Sequence, residues 1–209
     1  MQARWIPIPG QRVDPNRPGP RVVEPTDGTG VYEATGVQFD QAGLWGVVVT
    51  AALEGRDRTA KAGFEVLPES LVPGPGDVAL RTVNPLPGAA DTPPKAIDSR
   101  AEGSTVPDPE LHRISVADAI ASGRPTLLVI STPVFCMSRF CGPITDAAQQ
   151  LAKDFDGRAH VVHIEVWRDF EKKAINEAAA EWIMPAGAKD ANEPWVFLIG
   201  GDGNILRRW

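Results

Sequence analysis

The sequence predicts an α/β domain with a mixed sheet in its C-terminal half, preceded by a small all-β module. Three observations carry this expectation. Thr126-Leu127-Leu128-Val129-Ile130 is a continuous apolar run between Pro125 and Ser131, as in a central strand buried on both faces. Downstream of it, helical and strand periodicities alternate. Upstream, residues 30–67 show β-branched runs broken by glycine and polar residues, the pattern of short antiparallel strands.

In chain order, residues 1–30 are rich in Pro, Gly and Asp and have little periodicity. Tyr32, Val37 and Phe39 lead to a turn at Asp40-Gln41-Ala42-Gly43. A valine-rich run, Trp45–Leu53, follows, and Ala62–Val66 is a third strand. Three strands are few for a sandwich, so residues 1–67 read as a partial sandwich, small or incomplete. Nine of the 20 prolines fall between Pro68 and Pro109. Proline removes a backbone donor and restrains its neighbour, so residues 68–110 read as an extended linker that wraps onto one domain or the other. The α/β domain then spans residues 111–209. Ser115 caps a short helix over Val116–Ala121, which Gly123 stops. After the 126–130 strand, Ile144, Ala147, Ala148, Leu151 and Phe155 mark a helix. Val161–Val166 is a strand, and Ala174, Ile175, Ala178, Trp182 and Ile183 mark another helix. Trp195–Ile199 turns through Gly201-Asp202-Gly203 into an antiparallel edge strand over Asn204–Arg208.

Composition removes several functions. With 27 acidic and 21 basic side chains, the net charge is -6 and no basic run exists, which argues against a nucleic-acid surface. No stretch of 18 uncharged apolar residues is present, so no membrane span is expected. The opening MQARWIPIPG lacks the apolar core of a signal peptide. His112, His160 and His163 fall into no metal-ligand spacing, and two cysteines cannot make a Cys-rich zinc site. There is no GxSxG, GxGxxG or Walker pattern, so neither a Ser/His/Asp nucleophile nor a nucleotide site is assigned, and Gly28 and Gly30 are read as turn residues.

The chemistry concentrates in STPVFCMSRFCGPITDAA, where Cys136 and Cys141 follow the central strand and precede a helix. In open α/β sheets, ligands sit in the crevice beyond the carboxyl ends of the strands. Cys141-Gly142-Pro143 can open the helix, because the donor that proline lacks would be unpaired there. Free N–H groups and the helix dipole favour a thiolate at Cys141, and the thiolate is the reactive form. Two cysteines five apart on one regular helix would diverge, so a disulfide requires Cys136 in the loop and the chain folded back. Arg139 is a candidate positive charge beside the pair.

The stretch from Ser115 to Trp209 resembles the thioredoxin-like superfamily, and in particular bacterial exported thioredoxin-domain proteins with an extended active-site loop. The resemblance rests on TLLVIST, on FCGP at Phe140–Pro143 with the helix after it, and on EPWVFLIGGDGNILRR at Glu193–Arg208. It implies a thioredoxin-like fold and thiol–disulfide exchange by Cys136 and Cys141. It also implies a cis bond before Pro194 and a substrate crevice formed by Gly142, Pro143, Glu193, Pro194 and Trp167. Ile144 stands where the family has its second cysteine, so Cys136 would replace the resolving thiol. The carry-over makes Cys141 the attacking sulfur, while the loop position of Cys136 favours the reverse. The family continues beyond the position of Trp209 into a last helix. Without that helix, one sheet face would be underfilled or covered by the N-terminal module. GVYEATGVQFDQAGLWGVVVTA is similar to the second half of immunoglobulin-like modules through Phe39, Ala42, Gly43 and Trp45.

The reading of function keeps two classes. One is a thiol–disulfide oxidoreductase acting on protein or small-molecule thiols and disulfides. It needs no cofactor or metal, lies outside the cytoplasm, and associates with a membrane only through an anchor upstream of Met1. The other is a non-catalytic exported binding or scaffold protein with a structural disulfide. Copper handling by the two thiols and Met137 is a minor third.

Overall fold

The computed structural model describes residues 37–53, 55–136, 140–184 and 192–209, and the backbone of four short strands within residues 1–36. Those four are β1 (Arg4–Pro7), β2 (Gln11–Val13), β3 (Pro20–Val22) and β4 (Gly30–Glu33). β1 pairs with β4, and β2 pairs antiparallel with β3. The chain divides into two compact units: Met1–Ile6 with Gly30–Ser70, and Pro7–Thr29 with Leu71–Trp209.

In the first unit, β5 (Gly43–Leu53) and β6 (Arg56–Val66) form one long antiparallel hairpin, in register from Gly43↔Val66 to Leu53↔Arg56. The β-branched run Val47–Thr50 favours this pleated pairing. Gly55, at φ +72, lies in the turn, a conformation that glycine adopts without steric cost. The Phe39 ring packs edge-on against Trp45 and Phe64, and Trp45 Nε1 donates to Gln41 O at 2.9 Å. Phe39 and Trp45 of the motif are therefore in contact. Leu44, Val47, Val48 and Val49 remain exposed.

The second unit is built on a four-stranded sheet. Its strands are β7 (Thr126–Ser131), β8 (His160–Glu165), β11 (Trp195–Ile199) and β12 (Ile205–Arg208), in the order β12-β11-β7-β8. β7 and β8 are parallel, and the other two pairings are antiparallel. Helix α1 (Val116–Ala121) precedes β7, α2 (Cys141–Asp154) connects β7 to β8, and α3 (Glu177–Ile183) lies between β8 and β11. Successive strand residues point to opposite faces. Leu128 and Ile130 join Val162, Ile164, Phe197 and Ile199 in a core with α1 and α3. Val129 joins Val161, Leu111 and the Ala148 and Ala152 side chains of α2 in the other. Coverage of both faces explains the unbroken apolar composition of β7. On the α2 face the cover thins towards the edge, where Leu206 is 49% exposed.

Caps fix the helix starts. Ser115 Oγ accepts from Asp118 N, as expected, and Asn176 Oδ1 accepts from Ala178 N at the start of α3. That second cap shortens the helix expected from Ala174. Ala174–Ile175 instead forms a short strand, β10, antiparallel to β9 (Trp167–Asp169). The proline-rich segment wraps onto one of the two units. From Leu71 onward it belongs to the second unit, and Ala79, Ala96, Ile97 and Ala101 are buried there. Its backbone groups find partners at the ends of β12 and α1 and in the turn before β12. Ala79 N donates to Gly203 O, Ile205 N to Asp77 O and Ala117 N to Thr82 O, each at 2.9 Å.

Candidate functional site

The site is built where β7 ends and α2 begins. Cys136 in the loop and Cys141, the first residue of α2, form a disulfide with their Cα atoms 6.1 Å apart. Cys141 is completely buried, whereas Cys136 keeps part of its surface in solvent. Gly142 and Pro143 occupy the first turn of α2, Gly142 buried and Pro143 half-buried. Pro143 falls where an absent N–H leaves nothing unpaired. Thr145 Oγ1 lies 2.8 Å from both Cys141 O and Ser131 Oγ, so the helix start is tied to the end of β7. Met137 and Arg139 lie outside the described residues, and so does Gly28.

Glu193 comes from a distant stretch of chain. Trp195 pairs with Ile130, so two residues earlier Glu193 stands where β7 gives way to the cysteine loop. One carboxylate oxygen of Glu193 and the two sulfurs all lie within 4.8 Å of one another. The carboxyl is half-buried, and its loss of solvent raises its pKa above the ordinary range. The Glu193–Pro194 peptide bond is cis, and Pro194 leads directly into β11.

No family model, curated protein or solved structure matches the chain.

Trp167 reaches the site through other aromatic rings. Phe135, the residue before Cys136, stacks on Phe170 at 4.1 Å between centroids, and Trp167 meets Phe170 edge-on at 5.3 Å. Lys173 Nζ lies 3.6 Å from the Phe170 centroid, within cation–π range. Val134 and Phe140 flank the cysteines and are 54% and 44% exposed. Among the described residues, Val134, Phe135 and Phe140 give the pair apolar and aromatic neighbours. Sequence reasoning named Trp167 but missed Phe135, Phe170 and Lys173. The aromatic residue next to each of Cys136 and Cys141 was the one available signal.

A second cluster escaped the sequence reading altogether. Asp98, His112 and His163 are buried together, with Asp98 Oδ2 3.5 Å from His112 Nε2 and 3.9 Å from His163 Nδ1. The three have metal-ligand donor types within 4.8 Å of one another. Arg100, however, donates to both carboxylate oxygens of Asp98, at 3.0 and 2.7 Å, and also reaches Asp108 and Asp146. Its guanidinium is already the counter-ion that a buried carboxylate requires. Burial works to raise Asp98, but hydrogen bonding and charge from His112, Arg100 and His163 outweigh it and hold the carboxyl well below the usual range. Burial pushes His163 down to about 3, so its ring is neutral at physiological pH, and its Nε2 lies 3.2 Å from Ser131 O. The cluster thus reads as a charge network that locks the 98–112 segment to β8 and α2.

Proposed function

We propose that the second unit is a thioredoxin-like domain that exchanges thiols and disulfides through Cys136 and Cys141, outside the cytoplasm. The observation that carries this reading is the pair itself: a solvent-reachable sulfur bonded to a buried one at a strand-to-helix junction. The strand order β12-β11-β7-β8, with α2 directly after the central strand and a cis proline leading into β11, supports it. A disulfide in this position suits an oxidising compartment. Among the described residues, no helix is long and apolar enough to cross a membrane.

The partial exposure of Cys136 and the complete burial of Cys141 favour the reverse of the order implied by resemblance. In the reduced state, the Cys136 thiolate attacks a substrate disulfide. An S–S bond forms between Cys136 and the substrate, and the first substrate thiolate departs. The Cys141 thiol then loses its proton, and its sulfur attacks Cys136 Sγ. The intramolecular disulfide closes, and the second substrate thiolate leaves. Two electrons pass from protein to substrate, and the reverse sequence oxidises a substrate dithiol. The sulfurs carry the electrons, so the reaction calls for no cofactor. The apolar rim of Val134, Phe135 and Phe140 suits an extended protein segment as substrate.

The complete burial of Cys141 favours a second reading, a structural disulfide in a non-catalytic exported protein. A redox titration against glutathione separates the two. An exchanging pair equilibrates at roughly -120 to -270 mV, whereas a structural bond stays closed above about -300 mV. The Cys141→Ser variant should trap a mixed disulfide through Cys136. A bond that glutathione does not open, together with no trapped adduct, overturns the proposal.

A further inference from the structure

We infer that Glu193 is the acid–base residue of the cysteine pair, accepting the proton of the Cys141 thiol when the disulfide closes and returning it when the disulfide opens. This rests on the thiol–disulfide reading above and adds to it a residue with a stated step.

The need for such a group follows from burial. Cys141 has no solvent-accessible surface, so no bulk water meets its thiol to take a proton. The thiolate is the attacking species, and a buried thiol without an acceptor holds its proton. The helix start lowers that cost but does not remove the proton. A carboxylate within 4.8 Å of both sulfurs lies close enough to act through one water, or directly after the S–S bond opens.

The environment of Glu193 suits the task. None of the hydrogen bonds and ion pairs among the described residues engages its carboxylate, which is free to take and give a proton. Removal from solvent raises its pKa, moving it towards that of a thiol. Proton transfer is most effective when donor and acceptor are matched near the working pH. The pairing of β11 with β7 holds the carboxylate at the mouth of the cysteine loop.

The step balances in both directions. On closure, the S–H proton of Cys141 passes to a Glu193 oxygen, the Cys141 sulfur bonds to Cys136, and the Cys136–substrate S–S bond breaks, releasing the substrate thiolate. On opening, a substrate thiolate bonds to Cys136, the Cys136–Cys141 bond breaks, and the leaving Cys141 sulfur takes the proton from the Glu193 carboxylic acid.

The test is the opening of the oxidised full chain by dithiothreitol and by glutathione, followed by rapid alkylation and mass spectrometry from about pH 5 to 9. Among the described residues, the two cysteines are the groups that face the Glu193 carboxylate within 4.8 Å. Asp146 on α2 and Glu165 at the end of β8 titrate at about 6 and 7, so the comparison with Glu193→Gln isolates the effect. Glu193→Gln should slow opening by about a hundredfold and abolish one inflection of the rate–pH profile. Glu193→Asp, which keeps the carboxylate on a shorter side chain, should recover part of the rate and a shifted inflection. That pair of results also excludes a merely structural role. A Glu193→Gln protein that folds, opens at the wild-type rate and keeps the wild-type profile overturns the assignment while leaving the exchange reading intact. If Gln does not fold, Glu193→Asp with an unmoved inflection overturns it. A wild-type disulfide that glutathione cannot open, together with no adduct trapped by Cys141→Ser, overturns the exchange reading itself, and this assignment with it.

Discussion

Trp182 Nε1 donates a hydrogen bond to Thr82 Oγ1 at 2.9 Å, across a separation of 100 residues. Both partners are buried, and the bond ties α3 to a proline-rich stretch that sequence alone reads as a linker. Trp182→Phe keeps an aromatic ring in the core but removes the donor and part of the packing. It should destabilise the unit by about 1–3 kcal/mol in denaturant melts. An unchanged midpoint would mean that the wrapped segment contributes little to stability.

Cys136 and Cys141 should differ sharply once reduced. A buried thiol is shielded from reagents, and a partly exposed one is less so. After mild reduction, iodoacetamide is expected to modify Cys136 at least about ten times faster than Cys141, read by peptide mass spectrometry. Equal rates, or faster modification of Cys141, would reverse the roles assigned to the two sulfurs.

Glu165 sets a pH dependence of stability. Its carboxyl is buried, accepts from Ser99 N and Trp167 N, and is pushed up to about 7 by loss of solvent. In the unfolded chain it titrates at about 4.3. Between those values the folded state holds a proton that the unfolded state has released. The contribution of this group is therefore fully present below the unfolded value, falls as pH rises through the window, and is flat above it. Glu165→Gln should remove that slope, so that by about pH 8 the variant gains about 3 kcal/mol relative to its own offset at low pH. Parallel stability–pH curves for the two proteins would refute this account.

Arg100 is the counter-ion of a carboxylate with no exposed surface. Arg100→Met leaves Asp98 buried beside two histidines without the guanidinium, with the backbone N–H of residue 100 still donating to it, at an expected cost of about 3–5 kcal/mol. Adding Asp98→Asn removes the stranded charge, so the double variant should be more stable than Arg100→Met alone. Additive losses in the double-mutant cycle would show that the two side chains act independently.

Much of the second unit is legible in the sequence because its signals are local. The run at Thr126–Ile130, the cap at Ser115, the stop at Gly123 and the helical spacing from Ile144 to Phe155 each report on neighbouring residues. Where the local signal is ambiguous, the reading slips. Ala174 and Ile175 fit the helical spacing of α3, yet Asn176 caps that helix and the two residues pair with β9. Prolines between 68 and 109 leave only short 3-10 turns, at Pro94–Ala96 and Pro109–Leu111, but they say nothing about where the irregular chain lies.

The sequence by itself determined the order of the main helices and strands of the second unit, the burial of β7 and the placing of two cysteines between that strand and a helix. All three follow from composition and spacing within a few residues. Tertiary structure alone decided that Cys141 is completely buried, and that a carboxylate oxygen of Glu193, 52 positions beyond it, stands within 4.8 Å of both sulfurs. It also decided that Asp98, Arg100, His112 and His163 meet in one buried network. The physical reason is the same in each case. Exposure, desolvation and charge pairing depend on which atoms converge in space. Here they converge through strand pairing and packing between segments that are distant in the chain.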